Sequence, residues 1–170
     1  IFLYWRAPRV AADCVVGVAF AVAGLLLQAI TRNPLADPYL LGTSGGAALF
    51  VVLLHTAFAV QGAQVWFVPA AALIGALVAT FAVLLLARRS SGRLTLVGLI
   101  LAGVVVNAFC AAFISFLLVR FDPLRLRITT IWLTGGIGFV LWPQVLGVGT
   151  IVLATCIALR AGAHQLNAFA

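Results

Sequence analysis

Long apolar runs and short polar breaks alternate along the whole chain. The runs lie at residues 10–30, 44–60, 66–87, 94–119 and 140–159. Each is close to the roughly 20 apolar residues that a helix needs to cross a bilayer, whereas the apolar/polar alternation of barrel strands is absent. The pattern therefore predicts an all-α, polytopic transmembrane helix bundle of about five spanning helices, with a short extra helix near residues 128–136.

One polar break, residues 28–47, concentrates residues that interrupt helices. A proline pushes the residue before it towards extended backbone. Pro34 and Pro38 are therefore expected to end the first helix near Arg32 or Asn33. We call residues 32–38 the corner, and we expect it to be a rigid turn at one membrane face.

The second half of the same break has the residues of a capped turn. Asp37 suits an N-cap, and Pro38 suits the first helical position of a short turn, PYLL. Gly42 is expected to end this turn, because a glycine adopts left-handed backbone without a steric cost. Ser44 is then the predicted cap of the next spanning helix.

Small residues recur within the predicted helices. They allow helices to approach closely in a membrane, where lipid offers no hydrophobic drive to association. Tight helix packing is therefore the first interpretation, and the lining of a transport path is the alternative. The residues are Gly17, Ala21 and Gly24 in the first run, Gly42 and Gly46 at the start of the second, and Gly98 and Gly103 in the fourth.

Composition supports a membrane protein and excludes several kinds of site. The chain of 170 residues is 65% hydrophobic and 8% charged, whereas about a quarter of a soluble domain is charged. Its arginines border the apolar runs instead of forming a stripe, so the net charge of +7 does not indicate a nucleic-acid partner. A P-loop needs a lysine, and the chain has none. Scattered cysteines and histidines give no metal spacing.

Charge alone does not orient the chain in a membrane. With five spans, the two ends lie on opposite sides, and the ten arginines divide equally. The positive-inside rule therefore favours neither orientation. One side has Arg6, Arg9, Arg120, Arg125 and Arg127, and the other has Arg32, Arg88, Arg89, Arg93 and Arg160.

Several motifs, in a fixed order, resemble those of one family. They are WRAPRV at 5–10, LLLQAITRNPLADPYLLGTSGGA at 25–47, LILAG at 99–103, IWLTGG at 131–136 and LNA at 166–168. Together they resemble the FecCD-type permeases, the membrane subunits of ABC importers for iron-siderophores, haem and cobalamin. That family has about ten spanning helices. The resemblance implies that residues 1–170 are one transmembrane domain, a fragment holding about the second to the sixth helix.

The resemblance also implies an orientation and a docking site. WRAPR would face the periplasm or the outside of a bacterial inner membrane, with the short helix near 128–136 on that side, and RNPLADP would face the cytoplasm. Arg6 and Arg9 would bind acidic residues of a periplasmic or lipoprotein substrate-binding protein, since arginine pairs with carboxylates through two hydrogen bonds. The alternative is a pair of arginines that bind lipid phosphate.

Asp13, one turn after Arg9, is expected to form an ion pair with Arg9, and a proton or cation site is the alternative.

The resemblance places a cytoplasmic gate at two positions. Asn33 and Leu35 correspond to residues that narrow the inner end of the path, and Leu96 and Val97 to a second constriction. Some relatives are polar at the second position, and this chain is apolar there.

Two polar residues inside apolar runs, Gln28 and Asn107, are expected to bond across helices or to line the path.

The implied mechanism is alternating access in a larger assembly. Two permease copies would form the path as a homodimer, two ATP-binding subunits would hydrolyse ATP-Mg, and the binding protein would deliver the substrate. This chain would be a transport subunit without enzymatic activity or a bound cofactor. The alternative from another class is a secondary transporter or channel that needs no ATPase. Against it, the chain has no repeated pair of broken helices and no acidic relay beyond Asp13.

Overall fold

Six α-helices and one 3₁₀ helix make up the structure, a computed structural model that describes residues 6–34, 36–57, 64–91, 95–121, 123–135 and 140–167. No strand occurs in these ranges. The predicted all-α class is confirmed. The helices are α1 (Ala7–Thr31), α2 (Thr43–Ala57), α3 (Gln64–Ser91), α4 (Leu96–Leu118), α5 (Pro123–Leu133) and α6 (Trp142–Asn167), and the 3₁₀ helix is Pro38–Leu41.

Four of the described helices, α1, α3, α4 and α6, are long and apolar enough to cross a membrane. The remaining predicted span, residues 44–60, corresponds to α2, an apolar helix whose described part has 15 residues. At 1.5 Å per residue it is about 22 Å long, shorter than a hydrocarbon core of about 30 Å. The short extra helix, expected near residues 128–136, is α5 and begins earlier, at Pro123, because proline suits the first position of a helix.

The chain divides into two compact units. One contains α1 and α6, and the other contains the 3₁₀ helix with α2, α3, α4 and α5. We call them the helix pair and the four-helix unit. The expectation that residues 1–170 form a single transmembrane domain stays a prediction.

The core of the four-helix unit lies where α2 and α3 pack on α4. Leu49 and Val52 of α2 form one buried cluster with Cys110 and Leu117 of α4. A second cluster joins α3 to α4 through Val83, Ala87 and Ala102. Half-buried Val106 of α4 packs on both clusters. The long helix α4 therefore supports both neighbouring helices.

Helices α2 and α3 cross at two glycines, Gly46 and Gly75. A Cβ added at Gly46 would collide with the carbonyl oxygen of Gly75 and with Cβ of Ala79. A Cβ added at Gly75 would collide in turn with the carbonyl oxygen of Gly46. The two backbones are in direct contact, which only glycine permits. The close packing predicted at Gly46 is therefore present.

The glycines of the helix pair have different surroundings. Among the described residues, no atom of a neighbouring element lies within 4 Å of a Cβ placed at Gly17 or Gly24 of α1. The close approach predicted at these two positions is thus not found inside the described part of the chain. On α6, a Cβ at Gly149 would lie 3.7 Å from Val15 of α1, an ordinary contact.

Candidate functional site

The corner begins with a complete helix-ending motif. Arg32 has left-handed backbone (φ +49°), and its N–H donates to the carbonyl of Ala29. The N–H of Asn33 donates to the carbonyl of Gln28 at 3.2 Å. This is the Schellman arrangement, in which two backbone bonds satisfy the last carbonyls of a helix. The predicted end of the first helix, near Arg32 or Asn33, is correct.

A backbone bond also lies within the corner, and the 3₁₀ helix follows it in the chain. The N–H of Ala36 donates to the carbonyl of Asn33 at 3.1 Å. Asn33 is half-buried, and Leu35 lies outside the described residues. The predicted PYLL turn is the 3₁₀ helix Pro38–Leu41, and Gly42 ends it with a φ of +72°. The predicted PYLL turn and its end at Gly42 are therefore correct, and the N-cap predicted at Asp37 stays a prediction.

One cap was predicted at the wrong residue. Helix α2 begins at Thr43, so Ser44 lies inside the helix and is exposed. The hydroxyl of Thr43 donates to the carbonyl of Pro38 at 3.3 Å. The N-cap position of α2 is Gly42, whose carbonyl accepts the N–H of Gly46 at 3.0 Å. The tight turn at Gly42 brings Thr43, one residue earlier than expected, next to the 3₁₀ helix.

Asn107 of α4 bonds to the 3₁₀ helix from a distant part of the chain. Its amide nitrogen Nδ2 donates to the carbonyl of Tyr39 at 3.1 Å. Its oxygen Oδ1 is buried and has no hydrogen-bond partner in the described structure. Asn107 thus bonds across elements, whereas a path-lining role stays a prediction. Gln28, the other polar residue of this kind, is half-buried on α1.

The second predicted constriction lies at the beginning of α4. Thr95 caps this helix, because its hydroxyl oxygen accepts the N–H of Gly98 at 3.1 Å. Leu96 is half-buried, and Val97 is 66% exposed. The cap fixes where α4 starts, so these two adjacent apolar side chains have defined positions.

The two predicted docking arginines lie at the start of α1. Arg6 directly precedes the helix, and Arg9 is in its first turn. Both are exposed, while Pro8 between them is buried. Positive charge at a helix N-terminus opposes the helix dipole, so helix stability does not explain these residues. Asp13 is also exposed, and its ion pair with Arg9 stays a prediction.

Comparison with known proteins identifies the family. A family model described as the FecCD transport family matches residues 1–170. This chain belongs to the FecCD transport family. The resemblance found in the sequence motifs is thereby confirmed.

Relatives of this FecCD chain are permeases with different substrates in their names. The hemin transport system permease protein HmuU of Yersinia pestis is 38% identical, covering 98% of this chain and 50% of the relative. The achromobactin transport system permease protein CbrC of Dickeya dadantii is 42% identical, covering 85% and 40%. The vitamin B12 import system permease protein BtuC of Serratia proteamaculans is 39% identical, covering 89% and 45%.

A solved structure has the same fold. It is described as a metal-chelate type ABC transporter in an inward-facing conformation, and its TM-score is 0.83 at 24% identity. The match covers 99% of this chain and 53% of the other. This FecCD chain spans about half the length of the relatives it matches. It is a multi-pass membrane protein of the permease fold.

Two features of the FecCD chain were missed by sequence reasoning. Nδ1 of His55 in α2 lies 2.9 Å from the hydroxyl of Thr129 in α5, and both side chains are buried. The partner of His55 is 74 residues away, and no sequence pattern connects the two.

The second missed feature is an aromatic row on α4. The rings of Phe109 and Phe113 lie 5.9 Å apart, and the guanidinium of Arg120 lies 5.4 Å from the ring of Phe116. The three phenylalanines are all exposed. Their spacing of four and then three residues is typical of one helix face, so the sequence contained this signal.

Proposed function

We propose that this chain is part of the membrane-spanning permease of an ATP-binding-cassette importer for a bulky metal chelate, in the class of iron-siderophores, haem and cobalamin. The observation that carries the proposal is the FecCD match over all 170 residues. The names of the hemin, achromobactin and vitamin B12 permeases support it. The membrane is then the inner membrane of a bacterium.

The proposed assembly has two permease copies, two ATP-binding subunits and an external substrate-binding protein. ATP-Mg is bound and hydrolysed on the ATP-binding subunits, because this chain has no lysine for a P-loop. Closure of those subunits shifts the two permeases between outward- and inward-facing states. Substrate crosses by alternating access, without a cofactor on this chain.

Uptake into proteoliposomes with the whole transporter tests this proposal. We expect uptake to require ATP on the side of the membrane that carries the ATP-binding subunits. Uptake should persist when the proton gradient is collapsed. Uptake that survives ATP depletion and disappears with the proton gradient would instead identify a secondary transporter.

The corner is the proposed inner gate. The Schellman motif and the bond from the N–H of Ala36 to the carbonyl of Asn33 hold the described backbone of this turn, and a turn held in this way would keep a constriction closed until the helices beside it move. Asn33 and Leu35 are the proposed narrowing residues, with Leu96 and Val97 as a second constriction.

Cross-linking tests the gate at Leu35. A cysteine introduced by Leu35→Cys is expected to cross-link the two permease copies in one nucleotide state and not in another. A cysteine introduced at Val97 serves as the second position. Cross-linking that is equal in all nucleotide states would reject gating at that position.

Arg6 and Arg9 are the proposed docking residues for the substrate-binding protein. Both are exposed at the start of α1, and exposed opposite charges accelerate association at low salt. Arg6→Glu with Arg9→Glu is expected to weaken docking about tenfold or more, mainly at low ionic strength.

The control for this docking test is Arg88→Glu, which reverses another exposed arginine, one predicted to face the opposite side. Docking is measured by calorimetry on the permease in lipid nanodiscs. Unchanged affinity in the Arg6/Arg9 variant would assign these two residues to lipid phosphate instead.

A further inference from the structure

We propose that Asn107 is a positioning residue, whose amide fastens the 3₁₀ helix Pro38–Leu41, and with it the end of the corner, to α4. The inference uses the proposed function only in giving the corner the role of a gate. Its physical basis lies entirely within the four-helix unit, in the contacts between the 3₁₀ helix, α2 and α4.

The fastening point is the carbonyl of Tyr39. This oxygen accepts two hydrogen bonds, one from the N–H of Gly42 at 3.2 Å and one from Nδ2 of Asn107 at 3.1 Å. The first bond closes the 3₁₀ helix on itself, and the second connects it to a helix 68 residues further along the chain. Because a carbonyl oxygen only accepts, the side-chain atom that faces it is the amide nitrogen.

Packing at Gly42 supports the same connection. A Cβ added at Gly42 would lie 3.2 Å from Cγ1 of Val106 and 3.3 Å from Cγ2 of Val83. The end of the 3₁₀ helix is therefore held between α3 and α4, directly beside Asn107. A hydrogen bond and a close apolar contact act on the same short turn.

The other end of the amide shows why asparagine is placed here. Oδ1 of Asn107 is buried without a hydrogen-bond partner in the described structure. A buried unpaired oxygen is unfavourable, so a leucine of similar shape would avoid this cost. Since asparagine stands here despite its cost, the bond from Nδ2 to Tyr39 gives it a role other than core stability.

Gly45 of α2 provides the space that this amide needs. A Cβ added at Gly45 would lie only 2.5 Å from Oδ1 of Asn107. Any larger residue would displace the amide from the carbonyl of Tyr39. Gly45 and Asn107 therefore act together, and they offer two independent ways to break the same bond.

The helix that carries Asn107 also carries the second proposed constriction. Leu96 and Val97 are at the start of α4, about 16 Å along the axis from Asn107 at 1.5 Å per residue. A movement of α4 is then transmitted to the 3₁₀ helix through the amide. The second proposed constriction and the 3₁₀ helix are thus connected by α4 and one side chain.

Hydrogen exchange on the full-length permease in lipid nanodiscs tests the fastening. In Asn107→Leu, the peptide covering residues 38–46 is expected to exchange about tenfold faster, as loss of one hydrogen bond implies. The thermal midpoint is expected to stay equal or to rise, because the unpaired oxygen is removed and Tyr39 keeps its bond from Gly42. Unchanged exchange, or a lower midpoint with faster exchange in all helices, would overturn the inference.

Two further variants test the same bond, and the first of them excludes overpacking as the cause. Asn107→Ala removes the amide without adding volume, and Gly45→Ala keeps the amide but displaces it. Both are expected to accelerate exchange in residues 38–46. The matched control is Ser115→Ala on the same helix, whose hydroxyl donates to the carbonyl of Ala111 within α4. Faster exchange in the control, or none in Gly45→Ala, would contradict the proposal.

ATP-driven uptake by the same variants separates the inference from the proposed function. A loosened turn together with a substrate leak in the absence of ATP supports both. A loosened turn with unchanged uptake and no leak would reject the corner as a gate, while the fastening itself would stand. A turn that stays protected in Asn107→Leu would reject the fastening whatever the uptake.

Discussion

Helices α1 and α4 are nearly equally apolar, but their surroundings differ. In the most apolar stretch of α1 only 6% of the residues are buried, and α6 has the same value. The corresponding values are 17% for α4 and 22% for α3. The four-helix unit therefore contains a packed core, whereas the helix pair presents apolar side chains on almost every face. Helices apolar all round belong in lipid or among other helices.

The glycines show the same contrast at the level of single atoms. Gly46 and Gly75 are in backbone contact across α2 and α3, whereas the space around Gly17 and Gly24 of α1 is open. One residue type thus serves as a packing surface in one unit and has no described neighbour in the other. Substitutions at matched glycines can test whether this difference is intrinsic to the two units.

The largest effect is expected at the α2–α3 crossing. Gly46→Val places a branched side chain against the carbonyl of Gly75, and backbone cannot move aside as a side chain can. We expect a loss of about 3 kcal/mol in the free energy of unfolding, measured by SDS titration in mixed micelles. Gly17→Val is the control in the helix pair, where the space is open. Equal losses of unfolding free energy in Gly46→Val and Gly17→Val would show that the two units do not differ in how closely these glycines are packed.

A smaller loss is expected at the connection of α2 to α5. Thr129→Val removes the hydroxyl and leaves Nδ1 of His55 buried without its partner. The expected loss is about 2 kcal/mol in the free energy of unfolding. The control is the adjacent Thr130→Val, because the exposed Thr130 hydroxyl donates to the carbonyl of Leu126 in its own helix. If both variants unfold alike, the bond between α2 and α5 contributes nothing.

Alanine substitutions at Gly42 and Gly135 can distinguish the free-energy cost of backbone strain from that of overpacking. Gly42 and Gly135 both have positive φ, +72° and +81°, so alanine costs about 1 kcal/mol at either position. Only at Gly42 would the new methyl also press on Val106 and Val83. Gly42→Ala is therefore expected to lose about 1 kcal/mol more than Gly135→Ala. A thermal-shift series would reject this difference if the two midpoints coincide.

The smallest effect is expected within α1 and has the opposite sign. Gly17→Ala and Gly24→Ala each replace glycine in a helix with open surroundings, which should stabilise the helix by about 0.5–1 kcal/mol. The measurement is the same SDS titration on the full-length permease. A loss at either position would mean that another helix of the complete protein packs closely on this face of α1.

Local features of the fold could be predicted from sequence because neighbouring residues cause them. Pro34 and Pro38 constrain the residues before them, and the end of α1 and the 3₁₀ helix followed as expected, whereas the rigid turn expected at residues 32–38 stays a prediction because Leu35 lies outside the described residues. The cap predicted at Ser44 was wrong because α2 begins one residue earlier, at Thr43, directly after the left-handed Gly42.

The sequence by itself determined that this chain is an α-helical membrane protein, where its helices end around the corner, and its family. Those properties depend on hydropathy and on steric rules that act over a few residues. Only the tertiary structure decided that Asn107 bonds to Tyr39, that His55 bonds to Thr129, and that Gly46 contacts Gly75 while Gly17 has open space. Such contacts join residues far apart in the chain. The sequence of an apolar helix face does not show whether lipid or another helix covers that face.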